Sequence, residues 1–501
     1  MTTPNSTIDW HVRARGLNLQ TRPFINGRFD DAPAERAFDC VSPIDGKRIA
    51  SLAEVGARGV DAAVTAARKA FESGVWANMA PRARKKVMLK LAALVDQHRE
   101  ELALLDTLCM GMPISISKDY CVPWAINALE WYGEAIDKLY DEVAPTDRSV
   151  LALITREPVG VVGAVLPWNW PMGLLGWKVP PALAAGNSVV LKPDEQTSLS
   201  ALRFAGLAQE AGLPDGVLNV VTGGPAVGEA IGRHPDIDVV GFTGSTEVGK
   251  LFMKYSAESN MKPVWTECGG KGPNIVFADA PDLAVAAQTA AFMIFLNTGQ
   301  VCAAASRLII EESAREQVLE IIKGVGQALA PADPLEAQTM LGPIAKASQL
   351  ERVLGYIETG RKEGARLVTG GGRARIESGG FFIEPTVFDG VRNDMRIAQE
   401  EIFGPVLSTI TFRTPEEAVA IANASNYGLS GAIWTQNLSK AHTLARALRC
   451  GSVAVNAYSD DAHDMTVPFG GYKQSGFGRD KSLHALDKYT QLKTTWISLE
   501  V

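Results

Sequence analysis

Between residues 60 and 105 apolar side chains recur at helical spacing, through Val87, Leu89, Leu91, Leu94 and Val95, and this predicts helices there and again over 124–140. From residue 150 the texture changes to short β-branched runs at 161–166, 188–191, 217–221 and 239–242. Helical stretches separate them at 174–185, 198–211 and 226–232. Such alternation predicts βαβ units, that is, a parallel sheet with helices on both faces. A second alternating region starts near 273–277 and runs to about residue 455, with segments at 282–297, 307–311, 314–328, 350–363, 386–388, 406–412 and 416–424. It reads as a second α/β domain. Two further strand-like segments, 149–155 and 491–501, fall outside both regions and are free to pair with each other. Exposed edge strands are natural docking places for another subunit, so a homo-oligomer is expected.

Length changes the picture only by bounding it: 501 residues correspond to two or three domains. Hydrophobic residues at 46% and charged residues at 21% are an ordinary globular balance, which excludes disorder on a large scale. Lys plus Arg numbers 49 and Asp plus Glu 56, without a long basic run, so no nucleic-acid surface is indicated. The first residues contain no apolar signal core. The most apolar stretch, 158–191, is interrupted by Asn169, Lys178, Pro167, Pro171, Pro180 and Pro181, which argues against a membrane span. The six cysteines, Cys40, Cys109, Cys121, Cys268, Cys302 and Cys450, show no CxxC spacing. Neither a disulfide scaffold nor a metal site is expected, and a reducing, cytoplasmic setting fits.

The run over 239–242 leads into Thr243-Gly244-Ser245-Thr246-Glu247-Val248-Gly249 and then a helix. Glycines at such a turn let backbone approach a phosphate, and the helix N-terminus offers free N–H groups. The same turn also suits any tight strand-to-helix connection, and it is not the usual GxGxxG. One unit earlier, the run over 188–191 ends in Lys192-Pro193-Asp194-Glu195, at the carboxyl end of a parallel strand where open α/β sheets bind ligands. A carboxylate there can accept both hydroxyls of an adenosine ribose and would repel a 2′-phosphate, which favours NAD over NADP. Capping of the helix at Ser198 accounts for the same acids equally well.

Cys302, in Asn297-Thr298-Gly299-Gln300-Val301-Cys302, lies between an apolar helix and an apolar strand. A thiolate is a good nucleophile at neutral pH, although most lone cysteines are small buried hydrophobes. Glu267, in Thr266-Glu267-Cys268-Gly269-Gly270-Lys271, stands where a strand meets a glycine turn and can take a proton if its pKa is raised; a surface glutamate at a turn is the plainer alternative. Asn169, in Pro167-Trp168-Asn169-Trp170-Pro171, carries an amide suited to a developing oxyanion on a turn stiffened by prolines.

Taken together, these motifs resemble the aldehyde dehydrogenase superfamily, from Phe24-Ile25-Asn26-Gly27 to the C-terminus, with Glu400-Glu401-Ile402-Phe403-Gly404-Pro405 and Pro468-Phe469-Gly470-Gly471-Tyr472-Lys473 as further markers. The resemblance implies a Rossmann-type dinucleotide-binding domain (1–135 and 156–265), an α/β catalytic domain (266–478) and a small β oligomerisation arm (136–155 and 479–501), assembled as dimers or tetramers. It implies NAD as cofactor and an aldehyde as substrate. Cys302 would attack the aldehyde, Asn169 and the Cys302 N–H would hold the oxyanion, and Glu267 would activate the hydrolytic water. Lys178 and Asp480 match a proton-relay pair whose second member is usually Glu. Glu401 and Phe403 match nicotinamide-side contacts, Lys192 and Glu195 the adenosine ribose clamp, and Trp168 and Ser245 the pyrophosphate contacts. Leu166, Gly228, Phe242, Gly244 and Gly269 complete the expected cofactor site.

Met112, Trp170, Gly173, Trp177, Leu296, Val301 and Ala303 match positions that shape the aldehyde tunnel, and Asp461 an adjoining wall segment. The chain looks most like bacterial enzymes for γ-glutamyl-γ-aminobutyraldehyde and related ω-amino aldehydes. The acidic run Ser459-Asp460-Asp461-Ala462-His463-Asp464 would suit a cationic ω-group, with cation–π attraction from Trp170 or Trp177 of about 0.5–2 kcal/mol. A solvated acidic loop serves equally well, and Gly173 with an apolar lining suits a bulky aliphatic or aromatic aldehyde. A CoA-acylating enzyme would share the thioester, but Glu267 argues for hydrolysis. A non-enzymatic protein of this fold should lack Cys302, Asn169 or Glu267, and all three are present.

Overall fold

Runs of β-branched residues that are buried at every position must be covered on both faces, and this is how the chain uses them. The computed structural model describes residues 8–30, 35–458 and 462–500. Strands Val161–Val165, Ser188–Lys192, Leu218–Val220 and Val239–Thr243 are buried throughout. With Val264–Glu267 they form the parallel centre of an eight-stranded sheet. In chain order these five strands lie 3-2-1-4-5, so the direction of winding reverses between Val161–Val165 and Val239–Thr243. The carboxyl ends of those two strands flank the crevice where doubly wound sheets bind ligands. Short antiparallel strands at Phe24–Ile25, Arg28–Phe29 and Gly476–Phe477 close the edges.

The helix after the first strand, Pro171–Ala185, is buried at all but its last position, so it runs through the core and not along a surface. It keeps helical form despite Pro180 and Pro181 and ends on left-handed Gly186. Gly173 and Gly176 make its packing against helix Val122–Ala135 possible: an added Cβ would come within 2.3 Å of the Trp124 ring and 2.8 Å of the Ala125 Cα.

Glu267 ends the fifth parallel strand, and a turn over 268–272 carries the chain into the second sheet at Pro273–Val276. That sheet has seven strands, ordered Arg366–Thr369, Thr386–Asp389, Val406–Phe412, Arg307–Glu311, Pro273–Val276, Ser430–Trp434 and Ser452–Val455, parallel except for the first pair. The expected orphan segments pair over nine residues, Val150–Pro158 against Thr490–Ser498, with Glu142–Val143 as a third strand. A hairpin, Arg36–Val41 with Arg48–Glu54, has no counterpart in the sequence reading. Among the described residues no helix is long and apolar enough to cross a membrane.

Candidate active site

Three cavities meet in sequence along the cleft between the sheets. The first, about 310 Å³, lies over the winding reversal and is lined by Leu166, Trp168, Lys192, Glu195, Gly228, Phe242, Gly244 and Ser245, eight of the residues expected to hold a cofactor. The second, about 240 Å³, shares Trp168, Gly244 and Ser245 with the first and adds Asn169, Glu267, Gly269, Cys302, Glu401 and Phe403. The third, about 70 Å³, shares Cys302 with the second and is lined by Trp170, Trp177, Leu296, Val301 and Ala303. Cys302 therefore stands at the junction of a long groove that carries the charged groups and a short apolar tunnel.

Local structure sets each side chain. Ser245 caps helix Thr246–Ala257 by accepting from the Val248 N–H at 3.3 Å, which aims the amino end of that helix at the groove. The loop bearing Cys302 is bent by three consecutive left-handed residues, Asn297, Thr298 and Gly299. A Cβ on Gly299 would lie 2.1 Å from the Gly404 carbonyl oxygen, so only glycine fits. The Asn297 amide donates to the Asn169 carbonyl at 2.8 Å, and Asn169 Nδ2 donates to the Gln300 carbonyl at 2.9 Å. One Nδ2 hydrogen of Asn169 is thus committed to orientation, which leaves the other for a ligand. Tyr458 Oη braces the loop from beyond Cys302, donating to the Ala303 carbonyl at 2.7 Å and accepting from the Ala305 N–H at 2.8 Å.

The charges are buried and mutually dependent. Burial pushes the Glu267 carboxyl up to about 8, with Asp480 and Glu401 adding to the rise and Lys178 opposing it. Neither Glu267 oxygen has a hydrogen-bond partner. Burial, then the Glu267 and Glu401 charges, raise the Cys302 thiol above its ordinary range. Glu401 is itself pushed up to about 7 by burial, although it accepts from the Gly270 N–H at 2.9 Å. A Cβ on Gly269 would fall 2.0 Å from a Glu401 oxygen, so the carboxylate occupies the space that this glycine leaves.

Behind Glu267 a narrow cavity is lined by Lys178, Asp480 and Lys488. Lys178 Nζ lies 2.5 Å from Asp480, both fully buried, and Lys488 donates to the other Asp480 oxygen. Burial lowers Lys488 to about 8 against the pull of Asp480.

Two expectations about the tunnel are corrected. Met112 is fully buried in the core and does not line the cavity. Gly173 faces the Trp124 ring, so it admits that ring to the wall and is not itself a wall residue. Asp461 lies outside the described residues, as do Ser459 and Asp460. Residues that the sequence reading missed include Tyr120, Trp124 and Phe469 in the tunnel, and Gln349 and Arg352 in the groove. Gln349 donates to the Ile402 and Phe403 carbonyls at 2.9 Å each, and Arg352 to that of Glu401 at 3.2 Å. Lys346 was also missed; it pairs with Asp194 at 2.8 Å and Glu195 at 3.0 Å.

Comparison with known proteins matches residues 29–495 to the model of the aldehyde dehydrogenase family. The NADP/NAD-dependent aldehyde dehydrogenase PuuC of Escherichia coli (strain K12) is 50% identical over 98% of both chains. The aminoacetaldehyde dehydrogenase of Pseudomonas aeruginosa is 46% identical over 99% of both. A crystal structure of an indole-3-acetaldehyde dehydrogenase complexed with NAD+ superposes with a TM-score of 0.96 at 55% identity, covering 98% of this chain and 99% of that one.

Proposed function

We propose, from the premise that this chain belongs to the aldehyde dehydrogenase family and oxidises aldehydes with NAD, that Cys302 is the nucleophile, Glu267 the general base and Asn169 the oxyanion donor. The observation that carries this reading is the position of Cys302, which alone among the cysteines lines both the groove and the tunnel.

The groove suits a dinucleotide. It is long, it passes the amino end of helix Thr246–Ala257, and Thr243 offers it a buried hydroxyl without a partner. Lys192 and Glu195 would hold the adenosine ribose, Ser245 and Trp168 the pyrophosphate, and Glu401 and Phe403 the nicotinamide end. The cofactor, when bound, supplies the hydride acceptor.

At rest the Cys302 thiol and the Glu267 carboxyl are both held towards their neutral forms. Glu267, once ionised, takes the thiol proton as the sulfur attacks the aldehyde carbon. The resulting thiohemiacetal oxyanion is met by the free Asn169 Nδ2 hydrogen and the Cys302 N–H. Loss of hydride leaves a thioester on Cys302. Glu267 first gives up the thiol proton, for which Lys178 and Asp480, with Lys488 beyond, offer a polar path away. Ionised again, Glu267 removes a proton from water as the oxygen attacks the thioester, and returns it to the departing sulfur as the carboxylic acid leaves.

The tunnel wall brings together Tyr120, Trp124, Trp170, Trp177 and Phe469. Such an aromatic enclosure attracts a cationic ω-group, and the likeness to PuuC and to an aminoacetaldehyde dehydrogenase supports an ω-amino or guanidino aldehyde. A neutral aryl aldehyde is the second reading. It is favoured by the apolar and aromatic lining of the tunnel and by the likeness to an indole-3-acetaldehyde enzyme. The exposed strand Thr490–Ser498, which carries Leu492, Trp496 and Ile497 uncovered, supports assembly as a dimer or tetramer.

The test is the initial rate of NADH formation over 4-aminobutanal, 4-guanidinobutanal, hexanal and phenylacetaldehyde, beside Cys302→Ala. Loss of turnover in the variant with NAD binding retained is expected; undiminished turnover would overturn the assignment. Preference for the cationic members supports the first substrate reading, and preference for phenylacetaldehyde replaces it with the second.

A further inference from the structure

The polar path behind Glu267 holds one charge more than a relay needs. Lys178 and Asp480 already form a closed pair, and Lys488 sets a second ammonium on the other Asp480 oxygen. None of the three side chains is more than 4% exposed. Local backbone brings the second lysine there. Lys481 and Ser482 are both left-handed, with φ of 60° and 48°, and they turn the chain between Asp480 and the short helix Leu483–Lys488. The last residue of that helix thus comes back over the acid eight residues before it. Gly478, left-handed at φ 88°, leaves room for the lysine stem: a Cβ there would meet Lys488 Cδ at 3.3 Å. Lys178, Asp480, Lys488 and Glu267 line one narrow cavity of about 10 Å³, the room of a single water.

A lysine–aspartate pair has no net charge. With Lys178 and Asp480 alone, Glu267 would ionise between that pair and the opposing charge of Glu401. Lys488 gives the trio one net positive charge, so the buried cluster sums to zero when Glu267 is ionised. We infer that Lys488 is a positioning residue for the general base, holding Asp480 from behind and supplying the counter-charge against which Glu267 ionises. The inference rests on reading Glu267 as the base. The other groups around the cluster do not supply that charge. Arg479, half-buried at the same cavity, gives its guanidinium to the Gly471 and Gly478 carbonyls. Tyr132 and Tyr489 are held neutral by burial and by the Asp480 charge. The Cys268 thiol is pushed up to about 12 by burial and then by Glu267. Cys302 and Glu401, on the groove side, carry no cation. Burial holds Lys488 down to about 8 with some repulsion from Lys178, while Asp480 and Glu267 oppose the fall. The lysine and the base therefore sustain each other's charge.

The experiment is the pH profile of kcat/KM for an aldehyde at saturating NAD, in the natural enzyme, K488M, K488Q and K488R. The acidic limb, along which the rate rises as the base ionises, should move up by about 0.5–1.5 pH units in K488M and K488Q, the scale of one lost charge within a nanometre. In K488R, whose cation does not titrate, the limb should keep its natural position or fall below it. A purely structural tie would lower the rate at every pH and leave the limb in place, and that result would overturn the inference. An upward move in K488R would overturn it too. Should K488M and K488Q fail to fold, K488R decides by the same criterion. A spectroscopic measurement separates the base from the thiol. In Cys302→Ala the carbonyl stretch of protonated Glu267, assigned by its loss in Glu267→Gln, should persist to higher pH once K488M is added; an unchanged titration counts against the inference. Undiminished turnover in Glu267→Gln would instead remove the reading of the base on which it rests.

Discussion

At the scale of single residues, the centre of the molecule works by keeping ionisable groups out of water. Glu267 is the clearest case: its carboxyl is raised to about 8, mainly by burial. As a base it must be ionised, so turnover should rise with pH and level off above about 8. The same shift acts on stability with the opposite sign. The folded carboxyl holds its proton from its ordinary value of 4.5 up to about 8 while the unfolded one has lost it, so stability falls as pH rises across that window. We expect Glu267→Gln to abolish turnover and to raise the melting temperature at pH 9 relative to the natural enzyme, with little difference at pH 4.5. Melting curves at the two pH values check this, and an equal shift at both would refute it. Asp480 presents the reverse case. It bridges two buried lysines, and Asp480→Asn would leave both uncompensated, at a cost of about 3–5 kcal/mol. Asp480→Glu should recover much of this in denaturant unfolding.

At the scale of elements, the decisive contact is between helices Pro171–Ala185 and Val122–Ala135. Gly173 lets the Trp124 ring lie against the helix backbone and still reach the tunnel. Gly173→Val should drive that ring into the 70 Å³ cavity, lowering kcat/KM for phenylacetaldehyde at least tenfold more than for acetaldehyde. A parallel loss for both would show a general packing defect instead.

This contact also marks how far the sequence could be read. The parallel strands and the helix at 198–211 were legible because burial on both faces and helical periodicity leave local patterns. Cys302, Glu267 and Asn169 were legible because each sits in a turn of unusual composition. Gly173 was placed in the tunnel because a motif gives neighbourhood and not direction, and Met112 for the same reason. Trp124, Lys346 and Lys488 reach the site from distant segments through ordinary core or surface patterns, so nothing local distinguishes them. The hairpin at 36–54 was missed because its alternation is broken on the inward face, where Arg36 and the buried Glu54 stand in line with Phe38, Cys40 and Leu52.

At the scale of the whole molecule, two features reach beyond the cleft. Strand Thr490–Ser498 pairs on one side only among the described residues, and Leu492 and Trp496 are 61% and 65% exposed on it. Apolar groups on a free edge call for a partner. Leu492→Glu with Trp496→Glu should shift the particle to a smaller species in light scattering, with unchanged circular dichroism. An unchanged mass would place the contact elsewhere.

The second feature is the meeting of groove and tunnel at Cys302. Traffic through such a molecule is two-ended: the oxidant arrives by one door and the aldehyde by the other. In steady-state terms, an inert analogue of the aldehyde should raise the apparent KM for aldehyde without competing with NAD.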